Sequence, residues 1–230
     1  MEIPYSTSFD QSCLELELDK IREESSSHRP KVTLQLRHTH DTLHGRYFIY
    51  QDRFMRSDKF LFQDMVCEDS CVELFLQPSS NPNSPYLTLE MSCNGKGFLS
   101  YLITDPTRTE TGFKEYYKLD QAQGHQIQIQ SSLNDSKITS SDSPQDWSLS
   151  FSLPLKLIQD VFLNHTEHKD SNETNPRLVS NSFAGAGNWR LNAFKCADKS
   201  AKPHWLSVFP VPEWNFHEPA AFGEISFGPN

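Results

Sequence analysis

No run of five or more basic residues occurs in the 230-residue chain, and the formal net charge is −9. Phosphate backbones and anionic lipid attract basic patches, so neither nucleic acid nor a membrane surface is expected as a partner. No apolar stretch approaches the roughly 18 residues needed to cross a bilayer. The opening Met1-Glu2-Ile3-Pro4-Tyr5 has no basic n-region and no apolar h-region. No signal peptide is therefore expected, and the expected compartment is the cytoplasm. The five cysteines (Cys13, Cys67, Cys71, Cys93 and Cys196) are odd in number and contain no Cys-x-x-Cys pair. In a reducing compartment they read as buried or half-buried thiols. Their spacing does not indicate a metal–thiolate site. Gly-x-Ser-x-Gly, P-loop and His-Glu-x-x-His motifs are also absent, which leaves no standard catalytic signature.

Aromatic residues are plentiful, with 16 Phe, 7 Tyr and 4 Trp. The hydrophobic period is two. Val32, Leu34 and Leu36 alternate with Thr33, Gln35 and Arg37, and Trp147, Leu149, Phe151 and Leu153 alternate with serines. Similar alternation recurs around 47–50, 71–76, 86–93, 126–130, 188–194 and 222–227, giving eight or more strands with one apolar face each. Half-buried strands of this kind pack as an antiparallel two-sheet β-sandwich, so the expected fold is all-β. One short helix is expected after Pro154, where Leu155, Ile158 and Phe162 recur at helical spacing. It should cap one end of the sandwich. Polar segments 134–146 and 164–188 read as surface loops inserted into a single domain spanning 1–230.

Strand parity gives the sharpest inference. With Val72, Leu74 and Leu76 inward, Glu73 faces away. With Leu87, Leu89 and Met91 inward, Thr88 and Glu90 face away. With Trp189 and Leu191 inward, Arg190 and Asn192 face away. Two carboxylates, a guanidinium and an amide then share one surface, a mixture suited to sugar hydroxyls beside an aromatic ring. The bland alternative is an ordinary solvated sheet face.

Four blocks recur in a telling order: Asp69-Ser70-Cys71-Val72-Glu73, Tyr86 to Gly95, Trp189-Arg190-Leu191-Asn192 and Phe216 to Gly223. In their order and spacing they resemble the family 9 carbohydrate-binding modules. Cys71, Cys93, Lys195-Cys196 and Pro203-His204-Trp205-Leu206-Ser207 are similar to the stand-alone branch of that family. The resemblance implies a jelly-roll-like sandwich that binds a mono- or oligosaccharide without catalysis, within carbohydrate catabolism. It implies that Phe216 is a stacking aromatic, that Glu73 binds hydroxyls and that Asn192 faces the site. Glu90 and Arg190 join them by parity. No cofactor is required. The resemblance allows a structural calcium ion, for which 134–146 or Asp64, Glu68 and Asp69 could supply oxygens.

Two departures stand out. The first stacking position of the family falls at Val66 or Cys67, neither of them aromatic, and Glu90 stands where sugar binders have an arginine. Losing one stacked ring removes ~1.5–3 kcal/mol, a large share of the ~4.1 kcal/mol in a millimolar complex. Phe60, Phe62 and Tyr50 are the rings that could fill the slot. His217, beside Phe216, reads either as a donor to a sugar hydroxyl or, more often for such a histidine, as a solvated loop residue. The alternative function is a structural or protein-interaction sandwich that has lost its sugar site. A third reading makes Glu73 and Glu90 a hydrolytic pair.

Overall fold

The computed structural model describes residues 1–133, 138–166, 188–212 and 215–229. In chain order the first strands are β1 (Glu2–Ile3), β2 (Leu14–Glu17), β3 (Lys20–Ile21), β4 (Lys31–His38), β5 (Thr42–Asp52) and β6 (Met55–Ser57). Next come β7 (Cys71–Gln77), β8 (Tyr86–Ser92), β9 (Phe98–Leu99), β10 (Tyr101–Thr109), β11 (Gly112–Lys118) and β12 (Gln128–Ser131). The last are β13 (Ile138–Ser141), β14 (Gln145–Pro154), β15 (Trp189–Cys196), β16 (Leu206–Ser207) and β17 (Gly223–Phe227). The larger sheet runs β1-β17-β15-β7-β8-β10-β11, with β16, β3 and β9 attached at its sides. The second sheet runs β12-β14-β5-β4-β2, and β6 pairs with β13 as a separate ribbon. Pairing is antiparallel except at the edge, where β1 runs parallel to β17. The expected all-β sandwich is therefore the fold.

The period-two residues make the core between the sheets. Val32, Leu34 and Leu36 of β4, Tyr47 and Ile49 of β5, and Trp147, Leu149, Phe151 and Leu153 of β14 meet Val72, Leu74, Leu76, Leu87, Leu89 and Leu191 of the larger sheet. Tyr47 reaches across the core and donates its hydroxyl to the Glu73 carbonyl at 2.7 Å. That bond satisfies a buried phenol and ties β5 to β7. Helix α2 (Leu155–Thr166) follows Pro154 as expected and buries Leu155, Leu157, Ile158, Val161 and Phe162 against one end of this core. A second, one-turn helix, α1 (Gln121–Gly124), was not expected. It is set by a capping box in which Asp120 Oδ1 accepts from the Gln123 amide and Gln123 Oε1 accepts from the Asp120 amide, each at 2.8 Å.

Two differences from the sequence reading affect the site. Strands β7 and β8 are buried on both faces rather than half-buried. Their outer face carries Phe75 and Tyr86, which join Phe194, Phe216 and Phe222 in a second apolar cluster. Rings at polar-face positions demand a cover, and residues 215–222 provide part of it. The expected loop 134–146 also contains β13 and the start of β14, because 138–141 pair with β6. Residues 134–137 lie outside the described residues. Of the expected loop 164–188, residues 164–166 end α2, and 167–187 lie outside the described residues.

Candidate functional site

A cavity of about 300 Å³ lies on the outer face of the larger sheet. Its floor carries Glu73 and Glu90, which stand directly opposite each other in the β7–β8 register. Tyr101 and Arg108 of β10 and Phe113 of β11 line one side, and Arg22, Asp198 and Trp205 line another. Asn215, Phe216 and His217 also line it. Aromatic rings and charged hydrogen-bonding groups thus line a space at the small end of the range for ligand sites.

Each wall residue is positioned by its neighbours. The Arg108 guanidinium lies 4.2 Å from the Phe113 ring centroid and donates to Asn215 Oδ1 at 3.1 Å. Asn215 Oδ1 also accepts from the His217 amide at 3.1 Å. The Trp205 indole N–H donates to Asp198 Oδ1 at 2.7 Å, which fixes that ring at the rim. Arg22 sits between two rings, 5.5 Å from the Trp205 centroid and 5.4 Å from that of Phe216.

Burial dominates the electrostatics. Desolvation, reinforced by the facing Glu73, pushes the Glu90 carboxyl well above the ordinary carboxylate range, and Arg108 only partly offsets it. Desolvation also raises Glu73, although thiol hydrogen bonds from Cys196 and Cys71 oppose it. Two desolvated carboxyls side by side cannot both ionise cheaply, so each strengthens the other's hold on a proton. Burial likewise raises the Asp198 carboxyl and the Cys67 thiol and lowers Arg108.

A model of carbohydrate-binding family 9 matches residues 7–227. The chain belongs to this family. Its fold is shared by a Bacteroides uniformis protein assigned to carbohydrate binding, 21% identical over 98% of this chain and 97% of that one, with a TM-score of 0.76. It is also shared by a family 9 module of Caldicellulosiruptor kristjanssonii in complex with glucose, at 11% identity over 100% and 96% of the two chains and a TM-score of 0.59. The module of that organism in complex with cellotriose gives 13% identity over 100% and 94%, with a TM-score of 0.56. At these identities the likeness is one of fold. No curated protein matches the chain in sequence.

Of the residues expected at a family 9 site, the structure brings Glu73, Glu90 and Phe216 to the cavity. Phe216 stacks on Phe194, with centroids 4.1 Å apart and planes 16° apart, and is only 8% exposed. One of its faces is thus already covered. Arg190 and Asn192 lie elsewhere on the same sheet face and hold the C-terminal segment. Arg190 donates to the Phe222 and Ala220 carbonyls at 2.6 and 3.2 Å. Asn192 donates to the Phe209 carbonyl at 3.2 Å, and its Oδ1 accepts from the Phe209 amide at 3.1 Å.

Of the two candidates for the first stacking position, Cys67 lines the cavity with a thiol, and Val66 is not among its lining residues. None of the three rings considered for that slot lines this cavity. Phe62 packs on Phe98 at 4.7 Å, and Tyr50 lies on the outer face of the second sheet, paired with Lys31. Trp205 and Tyr101 line it instead. His217 is no solvated loop residue. Its ring lies 4.4 Å from that of Phe113 and 4.7 Å from that of Phe75, and its Nδ1 is 3.1 Å from the Tyr86 hydroxyl.

Sequence reasoning missed Trp205, Tyr101, Arg108, Phe113, Arg22 and Asp198 as site residues. Only Trp205 carried a signal, as part of the Pro203–Ser207 block.

Of the two suggested calcium ligand sets, 134–146 falls partly outside the described residues, and Asp64, Glu68 and Asp69 have separate partners. Asp64 Oδ2 accepts from the Phe60 and Leu61 amides, and Glu68 pairs with Lys59 and Lys199. Asp69 accepts from the Asp58 and Lys59 amides and the Ser92 hydroxyl.

Proposed function

We propose that this family 9 member binds the end of a mono- or short oligosaccharide in the cavity over Glu73 and Glu90. The carrying observation is the combination of a half-buried indole, Trp205, with two guanidinium groups and a buried carboxyl pair around about 300 Å³. Trp205 takes the stacking role, with Tyr101 and the open edge of Phe216 completing an apolar wall. Arg22, Arg108 and the carboxyl pair supply donors and acceptors for hydroxyls. Family membership supports the ligand class, and the relatives in complex with glucose and cellotriose supply the first probes.

We read the module as non-catalytic. A hydrolytic acid–base pair flanks the scissile bond, whereas Glu73 and Glu90 project side by side from neighbouring strands of one floor.

Titration calorimetry with glucose and cellotriose tests the proposal. Saturable binding is expected for the folded protein. Trp205→Ala should weaken it at least tenfold, since a lost stacked ring removes ~1.5–3 kcal/mol. A flat response to both sugars from folded protein would overturn the reading in favour of a sandwich that has lost its sugar site.

A further inference from the structure

Beside the cavity floor, three potential ligand atoms converge from side chains far apart in sequence. Cys71 and Glu73 are two apart on β7 and so share a face. Cys196 stands directly opposite Cys71 in the β7–β15 register, on that same face. Cys196 Sγ lies 3.0 Å and Cys71 Sγ 3.6 Å from Glu73 Oε1. The three ligand atoms all lie within 4.8 Å of one another. All three residues are buried.

We propose that Cys71, Glu73 and Cys196 form a zinc site. Tetrahedral zinc with bonds of about 2.0–2.3 Å holds its ligand atoms roughly 3.3–3.8 Å apart. The two sulfur–oxygen separations are near that spacing without any ion present. Two residues at i and i+2 on one strand, with a third across the ladder, present three ligands from one sheet face. The fourth position then points away from the sheet, on the side where Glu73 lines the cavity. A water or a sugar hydroxyl would complete the tetrahedron. Thiolate donors select a soft or borderline ion over calcium. Binding replaces two weak S–H donors by two Zn–S bonds and one carboxylate–zinc bond, releasing both thiol protons and any proton held on Glu73.

A second converging group, His28, Asp52 and His204, is not a competing site. Lys195 Nζ already stands 3.1 Å from His204 Nε2 and 3.5 Å from Asp52 Oδ2, so an ammonium fills the place of a cation.

The test is independent of sugar binding. Chelator-treated, reduced full-length protein is titrated with Co²⁺ and then with Zn²⁺. The expected result is one Co²⁺ per chain with a sulfur-to-cobalt charge-transfer band that stoichiometric Zn²⁺ removes. Cys196→Ser and Cys71→Ser should each reduce the band and weaken Zn²⁺ at least about 100-fold. Cys13→Ser should leave both unchanged. Absence of the band in folded wild-type protein would overturn the site, and so would a band lost in Cys13→Ser and kept in Cys196→Ser. A wild-type thiol count showing Cys71 and Cys196 joined in a disulfide under reducing conditions would also overturn it. Because the first readout is on wild-type protein, misfolding of a variant cannot decide the outcome.

Discussion

Adjacent residues of β15 enter two buried polar clusters that differ in kind. Lys195 points into the sandwich, where its ammonium meets Asp52 at 3.5 Å. Asp52 also accepts from the Trp147 indole N–H at 3.0 Å, and His28 lies 3.3 Å away. Burial alone would raise the Asp52 carboxyl, yet Lys195, His28, His204 and Trp147 together hold it down at about 2. His204 is held neutral, its ring lowered to about 3 by burial and by Lys195. Cys196 points the other way, toward Glu73 and Glu90, where thiols donate to Glu73, the Thr88 hydroxyl bonds Glu90, and both carboxyls are raised. One cluster supplies its own countercharge and is closed. The other is left with weak donors beside a cavity. Completeness of pairing separates a structural polar cluster from one prepared for a ligand.

The comparison breaks most sharply at Lys195. Lys195→Met leaves Asp52 inside the core without its ammonium partner, so a loss of about 3–5 kcal/mol is expected in urea denaturation at pH 7. A loss below about 1 kcal/mol would show that the inner cluster is not closed by this ion pair.

Acid should reach the inner cluster next. The folded-state pKa of Asp52, about 2, lies below its ordinary value of 3.8. Its contribution is therefore full above pH 4 and is lost as pH falls through 3.8 toward 2. That contribution is roughly 2 kcal/mol. Denaturation midpoints at pH 5 and pH 2.5 measure it, with Asp52→Asn as the reference whose slope should be shallower.

The smallest effect belongs to the outer cluster and has the opposite sign. Glu90 is raised, so the folded state keeps a proton that the unfolded chain sheds above pH 4.5. Stability from this group therefore falls as pH rises through and beyond that value. Glu90→Gln mimics the protonated form and should stabilise the protein by about 1 kcal/mol at pH 8 while changing little at pH 4. A destabilised variant at pH 8 would mean that Glu90 is ionised and partnered.

Much of this contrast was legible in the residues. Alternation in 71–76, 86–93 and 188–194 assigned Val72, Leu87 and Leu191 to the inner face and Glu73, Glu90 and Arg190 to the outer one. Polar character did not reveal whether the outer face was open. Phe75, Tyr86 and Phe194 share the parity of those polar residues, and their rings signal a cover. Period counting gives a side chain its side of a sheet but not what lies over it. Asn192 illustrates the limit: parity put it on the right face, while its amide is engaged by Phe209 rather than by the cavity. Trp205 sits just before a two-residue strand, too short to show any period. Cys71 and Cys196 are far apart in sequence, so only pairing of β7 with β15 could bring them together.

The Tyr47 hydroxyl bonded to the Glu73 carbonyl bears on how a ligand would be received. It anchors the floor to the opposite sheet through the middle of the core, so the floor has little freedom left to lose. The entropy lost on complex formation then falls on the parts set by irregular backbone, Trp205 and the stretch Asn215–His217. Residence time should accordingly be governed by how firmly those rings settle, while the carboxyl floor acts as a fixed template.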